Sequence, residues 1–146
     1  MQDDNNHTLA ACFEQKLIQM LKIKQLTEQL IDDCINDRSD GFAVLFAQRQ
    51  NSIDKIEKCR HLIDKIISEL NENDRTTAVQ ILSNEMRADQ CPKLWQEIFN
   101  SNAAFIHTLN EVCILDEKLR QCFANQRDKL LETKPNQPNL QTKNYR

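Results

Sequence analysis

The chain holds one glycine, one tryptophan, one tyrosine and three prolines in 146 residues. So little glycine and proline leaves almost no material for tight hairpin turns, which argues against a sheet-rich fold. Positive charge is not in excess. The net charge is −3, which removes the electrostatic basis for binding nucleic acid or anionic lipid. No apolar run approaches the roughly 18 residues a membrane span needs. The start, Met1–His7, has neither a basic region nor a long apolar run and does not read as a signal peptide. Glycine-rich phosphate loops and nucleophile elbows are missing as well.

The six cysteines, Cys12, Cys34, Cys59, Cys91, Cys113 and Cys122, include no C-x-x-C pair, and no His-x-x-x-His accompanies them. Five lie within helical patterns, at or beside apolar positions. The expectation is reduced, half-buried thiols acting as small hydrophobes, in a cytoplasmic protein. His7, His61 and His107 are scattered. Glu111, Asp116 and Glu117 cluster on the last helix without the Glu-x-x-His pairs of a di-iron bundle, and Glu57–His61 is one residue too long for that spacing. Asp32, Asp33 and Asp37 read as a solvated acidic patch. The expectation is a non-enzyme with no metal and no cofactor.

What is present is helix-forming. Leu, Ile, Lys, Gln, Glu, Asp and Asn dominate, which suits an all-α chain of one domain. A first amphipathic helix carries the stripe Leu9, Phe13, Leu17, Met20, Ile23, Leu26, Leu30, Cys34, with Asn6 or Thr8 as its cap. Asn36–Gly41 is a short connection to a second long helix, 41–70, with Ser39 or Asp40 as N-cap. A short helix follows, which Asp74 can cap. Ala88–Pro92 is a turn, and the last helix runs about 93–133. Residues 1–134 form the helical domain and 135–146 a disordered tail.

Two seams at alternating steps of four and three predict how the long helices pack. One is Phe42, Phe46, Arg49, Ile53, Ile56, Arg60, Ile63, Ile67, Leu70. The other is Trp95, Ile98, Asn102, Phe105, Leu109, Val112, Asp116, Leu119, Phe123, Gln126, Leu130. In an antiparallel pair, facing positions have a nearly constant total. A total of 175 or 176 sets Phe46 against Leu130, Ile53 against Phe123 and Ile63 against Val112, and it also sets Arg60 against Asp116 and Arg49 against Gln126. An unpaired charge in such a seam costs several kcal/mol more than a buried pair, which favours this register. The other reading is that both arginines snorkel from a loose edge. The expected architecture is an elongated antiparallel bundle of three long helices and one short one. Its centre is a coiled-coil-like hairpin, with the first helix packed beside it.

The last helix also carries apolar residues off its seam: Phe99, Ile106, Cys113, Leu115, Cys122 and Leu131. Some must serve the first helix. Together they exceed what a three-helix assembly covers easily, and an apolar groove on a bundle suits a partner's amphipathic helix. The alternative function is a structural or regulatory coiled-coil protein whose patch is a homodimer interface.

Two stretches carry a family resemblance. Asp37–Ile56 resembles the second-helix opening of the FlgN/FliT-type flagellar export chaperones, where a short acidic turn precedes a helix with a leucine and then an arginine or lysine beside glutamine. Asn110–Leu131 is similar to their last helix. The tail Leu140–Arg146 has the tyrosine of their C-terminal motif but lacks its glycine. The resemblance implies a small acidic cytoplasmic protein. It would bind the C-terminal helical segment of a hook-associated or filament-cap protein and prevent its premature assembly before type III export. It also implies a groove near Leu115, Leu119, Phe123 and Leu130.

Overall fold

The computed structural model describes residues 3–133. Among them the chain is all-α: α1 (Asp3–Ile35), α2 (Phe42–Ser68), α3 (Glu72–Leu82) and α4 (Gln96–Thr133), with single 3-10 turns at Ala88–Gln90 and Lys93–Trp95. The tail expected at 135–146 lies outside the described residues. The 33 residues of α1 span about 50 Å and the 38 of α4 about 57 Å.

The helix ends use different residues from those the sequence suggests. Asn6 and Thr8 sit inside α1 rather than capping it. Thr8 Oγ1 donates back to the Asp4 carbonyl at 2.9 Å, and Asn6 Nδ2 reaches the Leu94 carbonyl at 3.0 Å. α1 closes through Asp37, whose φ of 55° is left-handed. That lets the Arg38 N–H donate to the Asp33 carbonyl at 2.7 Å and the Asp37 N–H to Cys34 at 3.3 Å. The single glycine is not used for its conformational freedom: Gly41 has φ −92° and precedes α2 with no side-chain cap from any residue. At α3 the cap is Asn71, whose Oδ1 accepts from the Asp74 N–H at 2.8 Å, so Asp74 is capped rather than capping. Asn84, at φ 61°, closes α3 as Asp37 closes α1.

The central element is α1. Apart from Ala10, its buried residues fall at Leu9, Phe13, Lys16, Met20, Ile23, Thr27, Leu30 and Cys34, with a second row at Cys12, Gln19, Leu26 and Asp33. The first row steps by four and three and the second by seven. A helix that buries three positions per heptad is covered on two sides. α2 and α4 each lie mainly against α1 and touch each other far less. α2 runs antiparallel to α1. Leu9 and Phe13 share a core with Ile63, Ile66, Ile67 and Leu70, while Met20 and Ile23 share one with Ile53 and Ile56. α4 runs parallel to α1 at a steady offset. Asn6 meets Leu94, Lys24 meets Glu111 and Cys34 meets Cys122, at separations of 88, 87 and 88 positions. The α2–α4 hairpin expected as the centre is therefore replaced by α1 between two flanking helices.

The hub explains why the seam on α2 is rotated. Its inward row is Phe42, Leu45, Arg49, Ser52, Ile56, Cys59, Ile63, Ile66 and Leu70, all buried or half-buried. Against the expected row, Leu45 replaces Phe46 and Cys59 replaces Arg60, while Ser52 joins Ile53 and Ile66 joins Ile67 in facing the core. Phe46 and Arg60 turn to the exposed side. α3 fills the far end of the molecule, where Ala78 and Ile81 join Trp95 and Ile98 in the larger core. Asn102 on α4 donates to the Ile81 carbonyl at 2.9 Å, fixing the end of α3.

Two polar residues of this core carry testable consequences. Ser52 is fully buried and its Oγ has no hydrogen-bond partner among the described residues. Ser52→Ala is therefore expected to raise unfolding free energy by about 1 kcal/mol. Equal or lower stability by urea titration would show that the hydroxyl is satisfied. Lys16 is 7% exposed, with its ammonium 4.4 Å from the centre of the Phe105 ring. Burial, the largest influence on it, lowers its pKa from the ordinary lysine value. The unfolded chain thus binds this proton more tightly, and the penalty fades as pH rises through the folded pKa toward the unfolded one. Lys16→Met is expected to be more stable than the parent at neutral pH, with the difference shrinking toward alkaline pH. A constant difference would rule out the proton linkage.

Candidate functional site

The two ends of the bundle are covered unequally. The end with α3 is closed by the larger core. At the other end α1 stops at Ile35 and α2 begins at Phe42, whereas α4 continues to Thr133. Gln126 already lies beside Cys34, so the remainder of α4 runs on past the last turn of α1. Ile35, Val44, Phe46, Leu130 and Leu131 are all exposed there.

The sequence explains how this end is held. Phe42 and Phe123 meet edge to face at 5.5 Å between ring centres, and Phe46 lies 6.3 Å from Phe123. Arg49 forks onto Asp116, with Nη1 donating to Oδ1 at 2.7 Å and Nη2 to Oδ2 at 2.9 Å. Gln126 Nε2 donates to the Cys34 carbonyl at 3.1 Å, satisfying an end group of α1 from a neighbouring helix. Arg38 folds back onto the same terminus, donating to Asp32 at 2.6 Å and to Asp33 at 3.1 Å. The hydrogen bonds Arg38 donates to Asp33 and Asp32, with the negative charge of both, raise its pKa.

Between these contacts lies a cleft of about 230 Å³ lined by Cys34, Phe42 and Phe123, with Arg38 and Asp37 on one lip and Gln126 and Leu130 on the other. It is apolar at its floor and charged on one side, and it accommodates a large apolar side chain. A second, shallower depression of about 250 Å³ lies between α1 and α4, lined by Lys24, Glu28, Glu111, Ile114, Leu115 and Lys118. Lys24 and Glu111 bridge it at 3.0 Å. No cluster of three metal-ligating side chains occurs among the described residues, and no helix described is long and apolar enough to cross a membrane.

The structure separates the residues singled out from the sequence. Arg60 and Asp116 do not pair. Arg60 is half exposed and holds Glu57 at 2.8 Å and Asp64 at 3.6 Å on its own helix, while Asp116 takes Arg49. The cause is the rotated seam: Cys59 faces α1, so Arg60 is turned to solvent. Leu119 is buried, and Ile106, Leu115, Cys122 and Phe123 are half-buried. Of these, Cys122 faces α1 through Cys34 and Phe123 faces α2. Cys113, Leu130 and Leu131 are exposed. Phe42, Phe46 and Val44 complete the surface from α2. The sequence held a signal for them, since two phenylalanines and a valine fall in the first turns of α2.

The register can be tested by double-mutant cycles. Arg49→Ala with Asp116→Ala is expected to show a coupling of about 1 kcal/mol, because the pair is two-pronged and Arg49 is largely enclosed. Arg60→Ala with Asp116→Ala should be additive. The reverse pattern would restore the other register. Compared with known proteins, the chain matches no family model, no curated protein and no solved structure.

Proposed function

We propose that the chain is a non-enzymatic binding protein: an elongated bundle of three long helices and one short one that receives an apolar helix of a partner at its open end. One observation carries this reading. Val44, Phe46, Leu130 and Leu131 are exposed at the end that α3 leaves uncovered, the same end as a cleft lined by Phe42, Phe123 and Leu130. A partner helix laid along this end would place one large side chain in the cleft and cover the flanking residues. The charged lip of Asp37 and Arg38 would fix its direction. The resemblance of Asp37–Ile56 and Asn110–Leu131 to flagellar export chaperones points to a client class: the C-terminal helical segment of a hook-associated or filament-cap protein. Holding that segment would oppose its assembly by mass action.

The proposed surface differs from the one the resemblance implies. Leu119 belongs to the core and would stay there. The contact would shift toward Leu130 and Leu131 and recruit α2.

Titration calorimetry with such a segment tests this. Val44→Asp with Leu131→Asp is expected to weaken binding at least tenfold and leave the helical circular dichroism unchanged. Ile114→Asp, on an exposed site lining the α1–α4 depression instead, should bind as the parent does. Binding that survives the first pair removes the open end as the site. If no segment of this class binds the parent, the client class is wrong. If light scattering also shows a stable dimer that the same pair dissociates, the patch joins two copies of the chain.

A further inference from the structure

Cys34 and Cys122 meet across α1 and α4 with their sulfurs 2.6 Å apart, closer than any other thiol contact described. Both are free thiols. The approach does not rest on this contact alone. One turn further along α4, Gln126 bonds the Cys34 carbonyl. The same offset holds at Lys24–Glu111 within this helix pair and at Asn6–Leu94, in the 3-10 turn that leads into α4. A single register along the whole of α1 therefore delivers the two cysteines to each other. Cys34 is 2% exposed, and Cys122 is half-buried and more accessible.

We infer that Cys34 and Cys122 are a thiol–disulfide modification site, closed by a small disulfide oxidant of the glutathione class into a reversible bond between α1 and α4. The more accessible Cys122 attacks first, as its thiolate, on one sulfur of the oxidant. That breaks the oxidant's sulfur–sulfur bond, releases one small thiol and leaves a mixed disulfide on Cys122. Cys34 then gives up its proton and attacks the Cys122 sulfur, releasing the second small thiol. Two protein thiols become one disulfide, and one oxidant molecule becomes two thiols. Burial, together with the hydrogen bond and charge of Cys122, pushes the Cys34 pKa up to about 12. Cys34 is thus the poorer first nucleophile and the resolving partner. The bond would close a loop across 88 positions and pin the last turn of α1 beside the cleft that Cys34 lines, whatever occupies that cleft.

The test treats the full chain at low micromolar concentration with oxidised glutathione, then alkylates and digests it with trypsin without reduction. The expected product is residues 25–38 joined to residues 121–127, lighter by two hydrogens than the two peptides together. It should be absent from Cys122→Ser and from Cys34→Ala. Oxidation is also expected to raise the thermal midpoint of the parent by on the order of 10 °C, reversibly with dithiothreitol. Cys122→Ser, changed at the less buried position, should fold normally and show no such rise. The inference is overturned if Cys34 and Cys122 both remain alkylated while exposed Cys113 is consumed. It is overturned equally if either is recovered joined only to another cysteine or held only as a glutathione adduct.

Discussion

Burial of α1 on two sides is the constraint from which the remaining arrangement follows. A helix with one apolar stripe needs one neighbour, whereas α1 buries three positions in each heptad and needs two. The short turn Asn36–Gly41 returns the chain immediately, so α2 must be the antiparallel neighbour. The other side of α1 waits for α4, which comes back parallel only because α3 and the two 3-10 turns carry the chain across the end of the bundle. The two neighbours are then held in a fixed relation to each other without having to touch along their length.

That arrangement distributes cohesion unevenly. Four helices contribute to the core near Leu9 and Trp95, but only three reach the middle, and two of those end at Ile35 and Phe42. The open end is joined by a few specific contacts instead of a continuous apolar layer. These are an aromatic group, a forked ion pair, an amide on a helix terminus and two facing thiols. Contacts of this kind give direction and register more than they give stability. They also leave side chains such as Phe46 and Val44 in water, where a globular core would have absorbed them. The functional proposal and the thiol site fall at this end for the same physical reason.

Helix content, order and the turn after α1 were legible in the sequence because they rest on local signals: periodicity, the polar turn residues and Pro92. The packing was less legible. Strict four-three counting favours the bulky residue at each step, so it points to Phe46 and Arg60 where Leu45 and Cys59 face inward, and it misses Ser52 beside Ile53. Lys16 and Thr27 were passed over on α1 for the same reason, since a long cation or a hydroxyl does not announce burial. Lys16 reaches burial through its methylenes and the rings of Phe13 and Phe105. Thr27 reaches it by donating to the Ile23 carbonyl at 2.7 Å. Without these positions the apolar pattern of α1 describes a helix with one face, and the seams of α2 and α4 point to the wrong pair as the hub.

The register itself shows what a polar pair contributes to such a molecule. Arg49 with Asp116 and Phe42 with Phe123 both total 165, whereas the apolar counts favour 175 or 176. The difference is about eleven residues, close to three helical turns or about 16 Å of sliding. A shift of whole turns returns the same faces to each other, so hydrophobic burial discriminates weakly between the two registers. Charge pairing alone shares that degeneracy, because Arg60 with Asp116 totals 176 as Arg49 with Asp116 totals 165; it is broken by which arginine is enclosed. Arg49 and Arg60 stand eleven positions apart on α2, only approximately in phase, and just one of them lies on the row that α1 and α4 enclose. Once α1 fixes which row that is, Asp116 can satisfy Arg49 but not Arg60, and Arg60 finds Glu57 and Asp64 on its own exposed face. The ion pair is then a consequence of the three-helix geometry as well as a lock on it, which is why neither helix of the pair, taken with the other alone, reveals the register.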